Sequence, residues 1–328
     1  MNRSAEIAEI TKKAISEGVF PGCVIAVVRT GERTINAFGT IALNGELVRE
    51  DTIYDLASIT KSIPLASLIL KLESDGALSF DDLVRTWIPE LQNDHAATIE
   101  DLLKYRVHGP AMSLLAHLPP REIRGHIFAT GFAELPGESH YSNLPSYLLG
   151  IIVERVSGKT IDVLAREAFF EPLNMRSTFF PVAGMVPDVA FSIAPTETEE
   201  TGDVVGIVHD ESARAFARAG LAVGHAGLFS NAGDIASFLE SLLAGSFPYI
   251  VKGAHKGLGW GLNHGSFMGT HFGPRTFGKT GFTGTSVVCD IDRGVGLVIL
   301  SNRTYPSRPI NDNAIYAFRR SIAELVLA

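Results

Sequence analysis

Strand-like segments gather near the two ends of this 328-residue chain, while most of what lies between them carries helical periodicity. A sheet assembled from both ends must bring the two ends of the chain side by side, with the helical stretch as an excursion from it. On the N-terminal side, CVIAVVR and RTINAFGTI flank Thr30, Gly31 and Glu32, the pattern of a hairpin. On the C-terminal side come GLGWGLN, a strand opening at Lys279, and GVGLVILSN, with a second turn at Asp292, Arg293 and Gly294. A helix closes each end. The first spaces Ile7, Ile10 and Ala14 on one face; the last opens with capping Asn and Asp and repeats Ile315, Phe318, Ile322 and Leu325. Between them KSIPLASLILKLESDG, TIEDLLKY, SNLPSYLLGIIVERVSG, TIDVLAREAFFEPL and NAGDIASFLESLLAG read as helices. The expected fold is α/β (α+β): an antiparallel sheet flanked by N- and C-terminal helices. Residues 1–61 and 201–328 supply the sheet, residues 62–200 form a mostly helical insertion, and the two pack as one compact unit. No internal repeat or low-complexity linker interrupts it.

Composition narrows the function classes. With 46% hydrophobic residues the chain can bury a large core, and a formal charge of −8 offers no basic face, so nucleic acid is not an expected partner. The longest apolar runs, such as GVGLVIL, are too short to span a bilayer, and the N-terminal stretch reads as a packed helix rather than a signal peptide. The expected location is therefore the cytoplasm, with no membrane association. Cys23 and Cys289 sit in strand-like apolar runs and read as small buried thiols. His209, Asp210, His225, His255, His264 and His271 lack the spacing of a zinc site, so neither a metal nor an organic cofactor is expected.

One motif points the wrong way. Residues 273–280, GPRTFGKT, satisfy the phosphate-loop pattern G-x-x-x-x-G-K-[ST]. A phosphate loop needs a helix directly after it, whose free N–H groups meet the phosphates. Here Gly281, Phe282, Thr283, Gly284 and Thr285 lead into SVVCDI, a glycine-rich turn and a strand, so nucleotide binding is not expected.

Ser58 and Lys61 form Ser-x-x-Lys ahead of a helical run, where three residues of spacing stack the side chains on one face. A serine hydroxyl is a poor nucleophile at neutral pH and needs a neighbouring base, which a lysine can supply. Tyr141, Ser142 and Asn143 form Tyr-x-Asn in a Gly/Pro-flanked stretch, and Lys279-Thr280-Gly281 follows; each triplet occurs once, in this order. This set resembles the serine β-lactamase and penicillin-binding protein superfamily. FPGCVIAVV, YDLASITKSI, LVRTWIPEL, YSNLPSYLLGIIVERVSG and VGHAGLFSNAGDIASF extend the resemblance over nearly the whole chain. Tyr-x-Asn points to the branch of class C β-lactamases, family VIII carboxylesterases and D-aminopeptidases.

The resemblance implies a mixed α/β fold with an inserted helical region and assigns roles. Ser58 is then the nucleophile and Lys61 its proton acceptor or electrostatic partner. Tyr141 is the proton shuttle to the leaving group, and Asn143 orients Lys61 or the substrate. Lys279, beside Thr280, tunes Tyr141 and Lys61 by its charge and pairs with a substrate carboxylate. The backbone N–H groups of Ser58 and Phe282 form the oxyanion hole, and Gly281 leaves room for the acyl group. His225 is expected to hydrogen-bond a loop beside the site, and Trp87 and Trp260 read as packing residues, Trp260 on a strand that could approach the pocket wall. The chain departs from the family where LLKYRVHGP stands in place of a His-Thr-Ser-Gly-like segment, so Tyr105, Arg106, Val107 and His108 reshape the loop beside the site. The leading expectation is a serine hydrolase acting through an acyl-enzyme on a small-molecule ester, amide or β-lactam, with β-lactam turnover weak. The alternatives are a D-amino-acid-directed peptidase and a non-catalytic binding or regulatory protein on the same fold. The sequence assigns no oligomeric state.

Overall fold

Alternation along the central strands sets the layers. The computed structural model describes residues 3–184 and 192–328. In β1 (Gly22–Arg29), Cys23 and Ile25 join one core while Val24, Ala26 and Val28 join another, because successive side chains of a strand leave opposite faces. β2 (Glu32–Gly39) completes the expected N-terminal hairpin around Gly31. Four C-terminal strands follow: β3 (Gly261–Leu262), β4 (Thr276–Thr280), β5 (Ser286–Asp290) and β6 (Val295–Ser301). The sheet order is β2-β1-β6-β5-β4-β3, with every neighbour antiparallel. β1 and β6 lie together at its centre, Cys23 opposite Ser301 and Arg29 opposite Val295, so both ends of the chain build one sheet.

Terminal helices cover one face. α1 (Arg3–Ser16) and α6 (Asn313–Leu327) bring Ile7, Ala14, Ile315, Phe318 and Ile322 onto Cys23, Ile25, Leu297 and Ile299. Both stripes depart slightly from the expected ones. Thr11, rather than Ile10, is fully buried and turns its hydroxyl back to the Ile7 carbonyl at 2.7 Å. In α6 the steps of four from Phe318 through Ile322 lead to Val326, leaving Leu325 half-buried. The other face packs on a larger core that includes α2 (Ser67–Ser74), α3 (Leu144–Ser157), α4 (Glu211–Arg218) and α5 (Ala232–Leu243). Residues 144–153 of α3 are buried on all sides, as expected of a helix that is apolar all round. Among the described residues no helix is long and apolar enough to cross a membrane.

Two local differences bear on the site. The run from Lys61 is not one helix: a 3-10 turn, Ala57–Lys61, passes into a wide turn, Ser62–Ala66, before α2 begins. Ile63 leaves the helical region (φ −118°, ψ 106°) because it precedes Pro64, whose ring disfavours helical backbone in the residue before it. The phosphate-loop letters end in β4, which continues through a tight turn into β5 with no helix between the two strands. That geometry removes the nucleotide reading.

Candidate active site

Ser58 is set by the three residues before it. Ala57 has φ +47°, a left-handed backbone that crowds a β-carbon and costs about 1 to 2 kcal/mol. Its neighbours hold it there. One carboxylate oxygen of Asp55 accepts the Ala57 N–H at 2.7 Å and the other accepts the His209 N–H at 2.8 Å. The Thr283 hydroxyl donates to the Asp55 carbonyl at 2.7 Å and the Thr285 hydroxyl to the Leu56 carbonyl at 3.0 Å, while the Leu56 N–H donates to Leu228. Burial pushes the Asp55 carboxyl up to about 6, against the pull of its two N–H donors.

The chain then enters the 3-10 turn, in which residues three apart eclipse one another. Lys61 thereby reaches back to Ser58, with Nζ 2.9 Å from Oγ. The same Nζ donates to the His225 carbonyl at 2.5 Å, and Lys61 is buried while Ser58 keeps partial exposure.

β4 forms the facing wall. β3 pairs only with Phe277 and Gly278, so the strand edge lies open from Lys279 onward. A β-carbon at Gly281 would stand 2.1 Å from Thr285 Oγ1 and 2.4 Å from the Leu56 carbonyl oxygen. Glycine is therefore required by the close approach of this segment to the backbone just before Ser58, whatever space an acyl group also needs. Two buried arginines hold the carbonyls beyond. Arg319 donates to Gly281 and Thr285 at 2.8 and 2.7 Å, and Arg303 donates to Phe282 at 2.7 Å. Burial lowers the Arg319 guanidinium to about 10. Among the described residues neither the Ser58 nor the Phe282 N–H has a hydrogen-bond partner, leaving both for an oxygen in the cavity.

Lys279, 9% exposed, has its pKa lowered by burial. Its Nζ donates to the Tyr105 hydroxyl at 3.2 Å and lies 4.7 Å from the Tyr141 ring centroid. Lys61 Nζ is 5.4 Å from that same centroid. Tyr141 is 53% exposed, and among the described residues its hydroxyl has no hydrogen-bond partner, although its charge acts on Lys279. Asn143 does not reach Lys61. Its amide donates to Asp210 at 2.9 Å; Asp210 caps α4 and lies 3.4 Å from the His225 ring, whose Nε2 is 3.0 Å from the Ser212 hydroxyl. Asn143 thus connects to Lys61 only through Asp210 and the residue whose carbonyl holds Nζ. Burial lowers the His225 imidazole pKa despite Asp210.

The walls enclose a cavity of about 730 Å³ lined by Ser58, Tyr105, Tyr141, Trp260, Arg319 and residues 278–282. Lys61 and Asn143 stand behind its surface. The contributions of Asp55, Thr283, Thr285, Arg303 and Arg319 leave no mark in the sequence pattern beyond the Thr/Gly run after Lys279. Among the described residues no group of His, Cys, Asp and Glu could hold a metal.

This fold is that of the serine β-lactamase and penicillin-binding protein superfamily. The Beta-lactamase family model matches residues 7–319, and the chain belongs to that family. A protein of Escherichia coli (strain K12), provisionally named a D-alanyl-D-alanine carboxypeptidase, is 32% identical over 314 residues, covering 80% of this chain and 71% of that protein. Among solved structures, EstCE1, a hydrolase with promiscuous acyltransferase activity, matches with TM-score 0.76 at 19% identity over 99% of this chain and 98% of that one. The D-amino acid amidase from Ochrobactrum anthropi SV3 matches with TM-score 0.72 at 20% identity over 99% of both chains.

Proposed function

We propose that this β-lactamase-fold hydrolase acts through an acyl-enzyme on Ser58, with small esters or amides as substrates and weak turnover of β-lactams. The observation that carries the proposal is the position of Lys61: Nζ is 2.9 Å from Ser58 Oγ and fixed from behind by the His225 carbonyl. It takes the Ser58 proton while Oγ attacks the substrate carbonyl carbon. The carbonyl oxygen, now anionic, meets the N–H groups of Ser58 and Phe282. Collapse expels the leaving group, and water repeats the sequence to release the acid. Ser58→Ala is expected to abolish ester turnover and fluorophosphonate labelling while the protein still folds; unchanged turnover would refute the assignment.

A second reading, a peptidase or amidase directed at D-amino acids, is favoured by one feature of the same cavity. Lys279 and Arg319 are buried cations on its wall, and among the described residues neither forms an ion pair. A buried cation without a counter-ion is unfavourable, so a substrate carboxylate between them supplies the missing charge. The names of the carboxypeptidase and amidase relatives agree with that chemistry.

A further inference from the structure

We propose that Arg319 is a positioning residue of the oxyanion site: its guanidinium strengthens the Phe282 N–H as a donor by holding the carbonyl of the same peptide group. The proposal rests on the acyl-enzyme reading of Ser58. The Phe282 N–H and the Gly281 carbonyl belong to one planar trans peptide, which aims them in opposite directions. Arg319 Nη2 donates to that carbonyl at 2.8 Å, beside the Gly284 N–H at 3.2 Å, and also donates to the Thr285 carbonyl at 2.7 Å. The Thr285 carbonyl accepts the Gly281 N–H at 2.7 Å as well, so one cation closes the 281–285 turn. Arg303 holds the next carbonyl, that of Phe282, at 2.7 Å. A donor bound to a carbonyl oxygen draws electron density from its peptide and makes the opposite N–H a better donor, more so when that donor is charged and buried. The Ser58 N–H shares its peptide with the Ala57 carbonyl, to which the neutral Thr60 hydroxyl donates at 2.7 Å. The Phe282 arm is the charged one.

The cost of keeping this arginine argues the same way. Arg319 is 2% exposed, and among the described residues it forms no ion pair; Asp312, whose charge it feels, is bound by Arg303 at 2.7 Å. Among those residues its Nε has no hydrogen-bond partner either. A buried cation so poorly compensated is unfavourable for folding, and even with its pKa lowered to about 10 by burial it stays charged at neutral pH. A neutral donor would suffice to hold two carbonyls in a turn. A charge is useful where negative charge develops, which in this reaction is the substrate oxygen facing the Phe282 N–H.

The test compares a neutral p-nitrophenyl ester with the thionoester of the same acid and leaving group, in the wild type, Arg319→Met and Arg319→Lys, each checked for folding by urea unfolding. A sulfur anion accepts N–H hydrogen bonds poorly, so the ratio of the two kcat/KM values reads the oxyanion site rather than the fold. Arg319→Met is expected to lose about tenfold to thirtyfold in kcat on the oxoester, less than the loss from deleting a whole oxyanion donor, with KM within about twofold. The thionoester should lose under about threefold. Arg319→Lys, with one charged donor on a shorter stem, is expected to show the same pattern at about threefold on the oxoester. Because both esters are neutral, pairing with a substrate carboxylate cannot produce this result. Equal losses on the two esters, a loss confined to KM, a lysine variant no better than the methionine one, or an unchanged ratio in whichever variant folds would overturn the assignment. A wild type that a fluorophosphonate does not label overturns the acyl-enzyme reading and this proposal with it, whereas normal labelling with an unchanged ratio in the variants overturns Arg319 alone.

Discussion

Residues 55–61 and 281–285 face the loops around Tyr105 and Tyr141 across one cavity, and the two sides hold their side chains by different means. On the strand side Asp55, Thr283 and Thr285 are at most 2% exposed, and their hydrogen bonds fix the backbone on either side of Ser58 and Gly281. On the loop side Ser139 and Tyr141 are exposed, and the contacts are ring faces and a single phenol hydroxyl. Groups that must hold a reacting atom in place come from packed elements with every partner satisfied. Groups that meet the variable part of a substrate come from loops. Lys279 belongs to both sides, since its backbone lies in β4 and its ammonium meets the two tyrosines.

The sharpest way to break the strand side is to remove its base. Lys61→Ala should lower kcat by about 10²- to 10⁴-fold with the fold retained, measured on a chromogenic ester; a loss under tenfold would show that another group takes the Ser58 proton. Asp55 tests the support beneath the nucleophile. Its folded pKa, about 6, lies above the ordinary 3.8, so between about pH 4 and 6 the native state keeps a proton that the unfolded chain releases. Stability from this group is therefore lost as pH rises through that window, by about 3 kcal/mol for two pH units. Asp210 adds to the shift and Arg214 opposes it. Urea unfolding of wild type and Asp55→Asn from pH 4 to 7 should show the difference between them drifting with that sign, and a flat difference would deny the buried titration.

Lys279 probes the junction of the two sides. Lys279→Ala should lower kcat/KM about tenfold to hundredfold more for a carboxylate-bearing ester than for a matched neutral one, from the loss of a charge-assisted contact worth about 1.5 to 3 kcal/mol. Equal losses on both substrates would favour a plain carboxylesterase. Gly281→Ala gives the smallest effect, about 1 to 3 kcal/mol of stability by urea unfolding, as the new β-carbon meets Thr285 and the Leu56 carbonyl. No change would mean that the strand side yields where the contacts say it is tight.

The sheet was legible because alternation and turn residues are local: both hairpins fall where Gly31 and Gly294 mark them. Ser58, Lys61 and Lys279 were legible as candidates because the proposed acyl-serine chemistry tolerates few residue types there, and the structure brings Lys61 to Ser58 and sets Lys279 on the same cavity. What could not be read are roles set by tertiary placement. Nothing near Asp55 in the chain predicts that it grips Ala57 and His209 together, and Arg303 and Arg319 reach the 281–285 turn from C-terminal segments. Asn143 carried the expected amide but found Asp210 instead of Lys61, because Lys61 is already held by the His225 carbonyl. Tyr105 was visible only as a departure from the family's loop, since a phenol's partner depends on where a left-handed backbone aims it.

The proposed chemistry depends on a covalent bond at Ser58. The direct measurement is intact mass after brief incubation with a fluorophosphonate and, separately, with a slowly hydrolysed chromogenic cephalosporin, for wild type and Ser58→Ala, followed by peptide mapping of the adduct. The account predicts one adduct per chain in the wild type, located on the peptide containing Ser58, and none in the variant. An adduct on another residue, or equal labelling of Ser58→Ala, would contradict it.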